Sequence, residues 1–194
     1  MRKIFNFSKP FLAAVVLLIA LKFTGLLSSV SYYTNTALLK TGIMNVTPGN
    51  ESEAPEAFDY NFKLKTLNGE AIDFSQFQGK VVFLNLWATW CGPCRVEMPS
   101  IQKLYEGMDP EKVQFVILSL DRDDALTKIE EFVDKNNYTF PVYQPKGSLP
   151  AQLQVPSIPT TLIIDPNGNI VTKTVGATNF NTDKFKKYLE ELAK

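Results

Sequence analysis

The sequence predicts an α/β domain whose mixed central sheet is flanked by helices. Two nearly continuous apolar runs of strand length, at 81–87 and 113–120, indicate strands that are buried on both faces. Each run is followed by a segment with the apolar spacing of an amphipathic helix, at 93–107 and 123–136. Because strands that alternate with helices are typical of right-handed crossovers, we expect parallel strands at the centre of the sheet.

β-Hairpins are predicted at both ends of this central unit. An Asn-Gly turn at 68–69 separates two alternating segments, and a Pro-Asn-Gly-Asn turn at 166–169 separates two more. We expect the first hairpin to be an N-terminal extension and the last to add antiparallel strands at the edge of the sheet. In chain order, the predicted elements are strands at 60–67, 70–74 and 81–87, a helix at 93–107, a strand at 113–120, a helix at 123–136, strands at 140–143, 160–165 and 170–175, and a helix at 182–193.

Composition and charge exclude several classes of function. The 20 lysines and arginines balance the 20 aspartates and glutamates, so the charge gives no reason to expect nucleic acid as a partner. The chain has no histidine, which excludes Ser-His and Cys-His nucleophile pairs, His-ligated zinc sites and His-ligated haem. We therefore expect neither a metal ion nor a cofactor.

The segment 1–31 is predicted to be a membrane anchor or a signal segment. Three basic residues precede an apolar run at 11–21, which Lys22 ends. The run is shorter than the roughly 20 residues of a membrane span, although weaker apolar character continues beyond it. An uncleaved transmembrane anchor and a cleaved signal peptide both remain open, and a buried core helix is the third possibility. The first two place the rest of the chain outside the cytoplasm, because the cationic end stays inside.

A tether is predicted between this segment and the domain. Residues 32–57 are enriched in Pro, Gly, Ser and Glu, a composition typical of flexible linkers. A structured N-terminal extension is the alternative. The domain itself is expected at 58–194.

The chemistry is expected at Cys91 and Cys94, the only two cysteines in the chain. The pair closes too small a loop to add much stability through chain entropy, and it lies where the strand at 81–87 meets the following helix. A helix N-terminus carries unpaired N–H groups and partial positive charge, so a thiolate there is stabilised. We expect Cys91 to be the attacking nucleophile. Cys94, one turn further into the helix and more buried, is expected to resolve the mixed disulfide.

Other interpretations of the cysteine pair fit less well. Half of a zinc site needs further cysteine or histidine ligands, which the chain lacks. A purely structural disulfide does not explain the position between a buried strand and a helix. Pro93 also fits the first turn of that helix, where proline is favoured.

The segment from Asn85 to Cys94, with the sequence NLWATWCGPC, resembles the active-site motif of the thioredoxin superfamily. More narrowly, it resembles the TlpA/ResA/CcmG group of membrane-tethered thiol–disulfide oxidoreductases. The run at 157–161 resembles the cis-proline loop of this family. The resemblance extends over 58–194 and implies a thioredoxin-like fold, in which the N-terminal hairpin and the helix at 123–136 are additions to a minimal thioredoxin.

The resemblance also implies which residues contact the substrate. Pro159 is expected to be the cis residue and to hold the backbone of Ile158 beside the sulfurs, where an extended substrate pairs with it like an added strand. Trp90, Gly92 and Pro93 surround the reactive sulfur and are expected to contact the substrate as well. Half-buried core packing is the alternative for Trp90.

A proton carrier is expected at Glu97. Thioredoxin keeps a buried aspartate on the strand before its motif, but Asn85 occupies that position here and cannot exchange a proton at neutral pH. The TlpA/ResA group places a glutamate after the motif, and Glu97 matches it, three residues beyond Cys94 on the same side of a helix. A partly buried carboxylate with a raised pKa would handle the proton of the resolving thiol. A solvated glutamate, or one paired with Arg95 or Lys103, is the alternative.

These observations predict an enzyme that reduces protein disulfides outside the cytoplasm. The family resemblance implies secreted proteins or apocytochromes c as substrates and a membrane-embedded thiol transporter as electron donor. The Gly-Pro pair between the cysteines is that of thioredoxin, whose potential of about −270 mV favours a reductant. A disulfide oxidant or isomerase, and a non-enzymatic binding module of the same fold, are the alternatives. A peroxide reductase of the AhpC type is excluded, because it needs a Pro-x-x-x-Thr-x-x-Cys site and the chain has no further cysteine.

Overall fold

The computed structural model of the protein describes residues 45–46 and 56–194. The predicted anchor or signal segment at 1–31 and most of the predicted linker at 32–57 lie outside the described residues. In the described part, no helix is long and apolar enough to cross a membrane. Its strands are β1 (Glu56–Ala57), β2 (Lys63–Thr66), β3 (Ala71–Asp73), β4 (Val81–Trp87), β5 (Val113–Ser119), β6 (Val142–Lys146), β7 (Thr160–Ile164) and β8 (Asn169–Val175), and its helices are α1 (Gly92–Glu106), α2 (Leu126–Lys135) and α3 (Asp183–Leu192).

The eight strands form one mixed sheet, in the order β1-β8-β7-β4-β5-β6-β2-β3. The central strands β4, β5 and β6 run parallel, whereas β7 pairs with β4 in the antiparallel direction. The N-terminal hairpin of β2 and β3 extends the sheet beyond β6. The predicted α/β fold, with its mixed sheet, flanking helices and hairpin extension, is therefore confirmed.

Strand β7 of the final hairpin lies inside the sheet. The prediction that this hairpin adds strands at the edge is wrong for β7, which pairs with β4 along its whole length, whereas β1 covers the other side of β8 at Asn169 and Ile170. All five residues of β7 are buried. A strand that is shielded from water must pair its backbone N–H and C=O groups with neighbours on both sides.

Two apolar layers cover the two faces of the sheet. Side chains of β4 alternate between them, so that Phe83 and Trp87 face one layer while Leu84 and Leu86 face the other. Buried residues of all three helices belong to the first layer, among them Ile101, Ile129 and Leu189. The helix α1, which carries Cys94, is thus packed directly against the central strand.

Aromatic side chains from the N-terminal part of the domain cover the opposite face. Phe74 is fully buried, and its ring centroid lies 4.4 Å from that of Phe62 and 5.1 Å from that of Phe77. Phe58 and Tyr60 complete the cluster, at 5.4 and 5.6 Å from Phe74. Residues ahead of β2 are therefore held by ring packing, and β2 is shorter than predicted.

Two described parts of the predicted linker, 45–46 and 56–57, contact the folded domain. Glu56–Ala57 forms β1, which pairs with the start of β8. Val46 is buried, and its N–H donates to the carbonyl oxygen of Asn179 at 3.3 Å. The first described strand thus starts two residues before the predicted domain boundary at 58. β1 pairs the outer side of β8 at Asn169 and Ile170, at the edge of the sheet.

The other helices and strands differ from their predicted bounds by at most three residues at each end. A single turn of 3₁₀-helix, Asp123–Ala125, precedes α2 and accounts for the late start of that helix. Such shifts are typical of element ends, where the last turn or ladder pair is marginal.

Candidate redox site

Strand β4 delivers the two cysteines to the N-terminus of α1. All seven residues of β4 are buried, and the chain then turns so that the N–H of Cys91 donates to the carbonyl oxygen of Ala88 at 3.1 Å. Cys91 is the N-cap residue of α1, and Pro93 lies in the first turn. The predicted position of the pair, between a buried strand and a helix, is confirmed.

Cys91 and Cys94 form a disulfide with an S–S distance of 2.04 Å. The Sγ atom of Cys91 also accepts a hydrogen bond from the N–H of Cys94 at 3.2 Å. This N–H is one of the donors that a helix leaves unpaired in its first turn. It points at the atom that becomes negative when the disulfide is reduced, so the geometry can stabilise a thiolate on Cys91.

The two sulfurs differ in their access to solvent. Cys91 keeps 5% of its surface exposed, whereas Cys94 is 0% exposed. Around Cys91, Gly92 and Pro93 are exposed and Trp90 exposes 72% of its surface, so Trp90 is not the half-buried core residue of the alternative interpretation. Cys91 is therefore the less buried of the two cysteines, and its neighbours Trp90, Gly92 and Pro93 are exposed.

The loop that contains Pro159 lies against Cys91. The peptide bond between Ile158 and Pro159 is cis, as predicted. The carbonyl oxygen of Ile158 lies 3.7 Å from Sγ of Cys91, and that of Pro159 accepts a hydrogen bond from the N–H of Gly176 at 2.9 Å. The structure thus brings the predicted contact residues Ile158 and Pro159 to the reactive sulfur.

Glu97 lies inside the protein, on the buried side of α1. One carboxyl oxygen accepts a hydrogen bond from Nδ2 of Asn85 at 2.8 Å, and the other accepts one from the N–H of Thr178 at 3.2 Å. Burial raises the pKa of Glu97 from 4.5 to about 8, and the two hydrogen bonds only partly oppose this increase. The carboxyl group is neither solvated nor, within the described chain, paired with Arg95 or Lys103.

Asn85 links Glu97 to the neighbouring strand. Its Nδ2 also donates to Oγ1 of Thr161 at 2.9 Å, and the two residues are direct partners in the β4–β7 ladder. Asn85 is fully buried. The amide holds the carboxyl group of Glu97 without adding a second charge, whereas a second carboxylate at this position would repel it.

Two partners of this buried group, Thr161 and Thr178, were not among the residues expected from the sequence. The sequence gives a weak indication for Thr161, because a polar residue in an otherwise apolar buried strand needs a hydrogen-bond partner. For Thr178 it gives none, because this residue acts through its backbone N–H, which every residue except proline possesses. In the residues that the structure describes, no group of three or more Cys, Asp or Glu side chains could hold a metal ion.

The raised pKa of Glu97 predicts a pH-dependent effect of Glu97→Gln on stability. Between the unfolded pKa of 4.5 and the folded pKa of about 8, the folded protein holds a proton that the unfolded chain releases. The free energy of unfolding therefore loses about 1.4 kcal/mol per pH unit through this group as the pH rises. Glu97→Gln removes this loss. The free energy of unfolding of the variant, relative to that of the wild type, should therefore increase steadily between pH 5 and pH 8.

Urea unfolding of the oxidised full-length protein at four pH values measures the difference. Glu106→Gln, at an exposed position of α1, is the matched control for the loss of one carboxyl group, and the pH dependence is read as the difference between the two variants. If the free energies of unfolding of Glu97→Gln and the wild type differ by the same amount at every pH in this range, the prediction is contradicted.

Comparison with known proteins agrees with this geometry. The AhpC/TSA family matches residues 53–173. The chain is 36% identical over 138 residues to the thiol-disulfide oxidoreductase ResA of Oceanobacillus iheyensis. The matched region covers 69% of this chain and 70% of that protein. It is 32% identical over 168 residues to the thioredoxin-like protein YneN of Bacillus subtilis, covering 87% and 91%. The crystal structure of StoA from Bacillus subtilis is similar with a TM-score of 0.54 and 27% identity, covering 66% of this chain and 94% of that one.

The matches agree with the thioredoxin-like fold and with a redox-active Cys-x-x-Cys pair at Cys91 and Cys94. The resemblance inferred from the active-site motif is confirmed. The chain belongs to the AhpC/TSA family, as a thiol–disulfide oxidoreductase of the ResA and StoA type.

Proposed function

We propose that the protein is an extracytoplasmic disulfide reductase that acts on secreted proteins or apocytochromes c through Cys91 and Cys94. The proposal rests on the hydrogen bond from the N–H of Cys94 to Sγ of Cys91 at the N-terminus of α1. This contact stabilises negative charge on the sulfur that solvent can reach. The 36% identity to a protein named thiol-disulfide oxidoreductase supports the exchange chemistry.

The exchange takes two steps in the reduced protein. The thiolate of Cys91 attacks one sulfur of a substrate disulfide, the substrate S–S bond breaks, and a mixed disulfide forms as one substrate thiolate leaves. Cys94 then attacks Sγ of Cys91, the mixed disulfide breaks, and the second substrate thiolate leaves. Two electrons pass to the substrate, and the disulfide between Cys91 and Cys94 is the product.

The substrate binds across the loop that contains Ile158 and Pro159. The carbonyl oxygen of Ile158, 3.7 Å from Sγ of Cys91, can accept an N–H from an extended substrate chain. Trp90 exposes 72% of its surface and offers an aromatic face to the partner. Gly92 and Pro93 are exposed and carry no long side chain, so they leave room for the substrate to reach the sulfur.

Glu97 carries the proton of the resolving thiol in this proposal. Cys94 must lose its proton before it attacks, and bulk water does not reach it because it is 0% exposed. A carboxyl group with a pKa of about 8 nearly matches a free thiol, whose pKa is about 8.5. An ordinary carboxylate would be a weaker base toward the thiol by about four pKa units. In the reverse direction, protonated Glu97 supplies the proton to the Cys94 thiolate as the disulfide is reduced.

At pH 7 about a tenth of Glu97 is ionised and can take the proton, so Glu97→Gln should slow the resolution of a mixed disulfide by about 10-fold. The difference should shrink as the pH rises, because hydroxide then competes with Glu97 for the proton of the thiol. The rate is measured by stopped flow on a mixed disulfide between Cys91 and a thionitrobenzoate group, with Glu106→Gln as the control. Equal rates for Glu97→Gln and the wild type at pH 7 would remove Glu97 from the mechanism.

The residues between the cysteines support the reductase direction. Gly92 and Pro93 are the pair found in thioredoxin, a reductant at about −270 mV, whereas the oxidant DsbA lies at about −120 mV. Equilibration of the purified protein with glutathione should give a potential closer to the thioredoxin value. A potential near that of DsbA would instead favour the alternative of an oxidant or isomerase.

The compartment and the partners belong to the same proposal. The cationic start and apolar run of 1–31 favour a membrane-anchored protein or a cleaved signal peptide, and both place the cysteines outside the cytoplasm. A reductant in an oxidising compartment needs electrons from across the membrane. We therefore propose a membrane-embedded thiol transporter as the electron donor.

Cys94→Ala should accumulate mixed disulfides between Cys91 and its substrates in intact cells, because the resolving thiol is absent. Cys91→Ala is the matched control and should trap far less, since Cys94 is 0% exposed. Non-reducing gels followed by identification of the trapped proteins provide the measurement, and protease added to intact cells should degrade the domain. If neither variant traps a protein, the alternative of a non-enzymatic binding module would gain support.

A further inference from the structure

Asp121 forms a hydrogen-bond network with the loop that precedes Cys91. Both of its carboxylate oxygens bind Thr89: Oδ2 accepts the backbone N–H at 2.8 Å, and Oδ1 accepts the side-chain O–H at 2.7 Å. The hydroxyl of Ser119 donates to Oδ2 at 2.8 Å and accepts the N–H of Asp121 at 3.1 Å. Asp121 is 8% exposed, and no basic side chain of the described chain forms an ion pair with it.

The loop held by Asp121 joins β4 to α1. At its two ends, the N–H of Leu120 donates to the carbonyl oxygen of Trp87 at 2.7 Å, and the N–H of Cys91 donates to that of Ala88 at 3.1 Å. The side chain of Trp90 contributes little packing, because 72% of its surface is exposed. Between these ends, the carboxylate of Asp121 holds the backbone and the side chain of Thr89 at once.

Thr89 is close enough to Cys91 for its position to matter there. Two peptide units span at most about 7 Å between Cα atoms. The sulfur of Cys91 lies 3.2 Å from the N–H nitrogen of Cys94 and 3.7 Å from the carbonyl oxygen of Ile158. A displacement of about 1 Å would lengthen the first of these contacts beyond hydrogen-bond range, and errors of this size are costly in reacting groups.

We propose that Asp121 is a positioning residue for thiol–disulfide exchange, which holds Thr89 so that Sγ of Cys91 stays on the N–H of Cys94. A carboxylate suits this task because its two oxygens accept two donors of one residue, while Ser119 fixes its orientation. The proposal depends on the exchange at Cys91. It does not depend on the direction of electron flow, on the compartment or on Glu97.

The test compares variants of Asp121 in the full-length protein with two readouts. The first is the rate at which dithiothreitol reduces the oxidised protein, and the second is the pH midpoint for alkylation of Cys91 by iodoacetamide in the reduced protein. Asp121→Ala should slow reduction by at least about 10-fold and move the midpoint up by about one pH unit, because the thiolate loses its aligned donor. The reduction rate of Asp121→Asn should stay within about 3-fold of the wild-type rate, since an amide offers one acceptor and one donor to Thr89.

Asp124→Ala is the matched control, because its side chain is 78% exposed and it lies in the same segment. It should leave both readouts unchanged. Thr89→Val keeps the shape of the side chain and removes one of the hydrogen bonds, so it should show a smaller change in the same direction as Asp121→Ala. If circular dichroism shows that Asp121→Ala does not fold, Thr89→Val provides the test in its place.

A merely structural role would lower the melting temperature and leave the alkylation midpoint where it is. That result, in folded Asp121→Ala or in Thr89→Val, would overturn the proposal. It would leave the trapping by Cys94→Ala intact, so failure here is distinguishable from failure of the proposed function. Conversely, a shifted midpoint in a protein that traps no substrate would support the positioning role and count against the reductase.

Discussion

Complete burial of β4 is the constraint on which the rest of the site depends. Its seven residues are shielded on both faces, and β5 and β7 pair with it on both sides. Such a strand cannot slip by one residue without moving its apolar side chains to the wrong layer. The end of β4 is therefore fixed in space, and with it the point at which Cys91 begins α1.

The direction of β7 explains why the cis-proline loop meets the cysteines. Because β7 runs antiparallel to β4, its first residue pairs near the last residues of β4, with Thr160 opposite Leu86. Pro159 immediately precedes Thr160, so the loop emerges at the same edge of the sheet as the cysteine pair. Two segments more than sixty residues apart in sequence thus form one site through a single strand register.

Buried polar groups adjoin this site on two sides, and each is held by its own donors. On the buried side of α1, the raised pKa of Glu97 favours the neutral carboxyl group, which accepts hydrogen bonds from Asn85 and Thr178. Ahead of Cys91, Asp121 binds Thr89 and Ser119. Buried polar groups cost free energy unless they are satisfied, so their concentration around a disulfide indicates function rather than stability. We propose that the first network bears on the proton of Cys94 and the second on the position of Cys91.

The sequence by itself determined the elements and the chemistry of this protein. The apolar run of β4, the helical spacing of α1 and the Cys-x-x-Cys pair are local signals, and they identified the reacting sulfurs and their place at a helix N-terminus. The motif resemblance added Pro159 and pointed to Glu97.

Only the tertiary structure decided which distant groups meet. Hydrophobic periodicity reports whether a strand is buried, but not which strands become its neighbours, so β7 was expected at the edge and β1 was missed. Hydrogen-bond partners such as Thr161 and Asp121 depend on strand register and loop path, which arise from contacts far apart in the chain. The charge state of Glu97 depends on burial by the whole fold, because desolvation is a property of the surroundings and not of the residue.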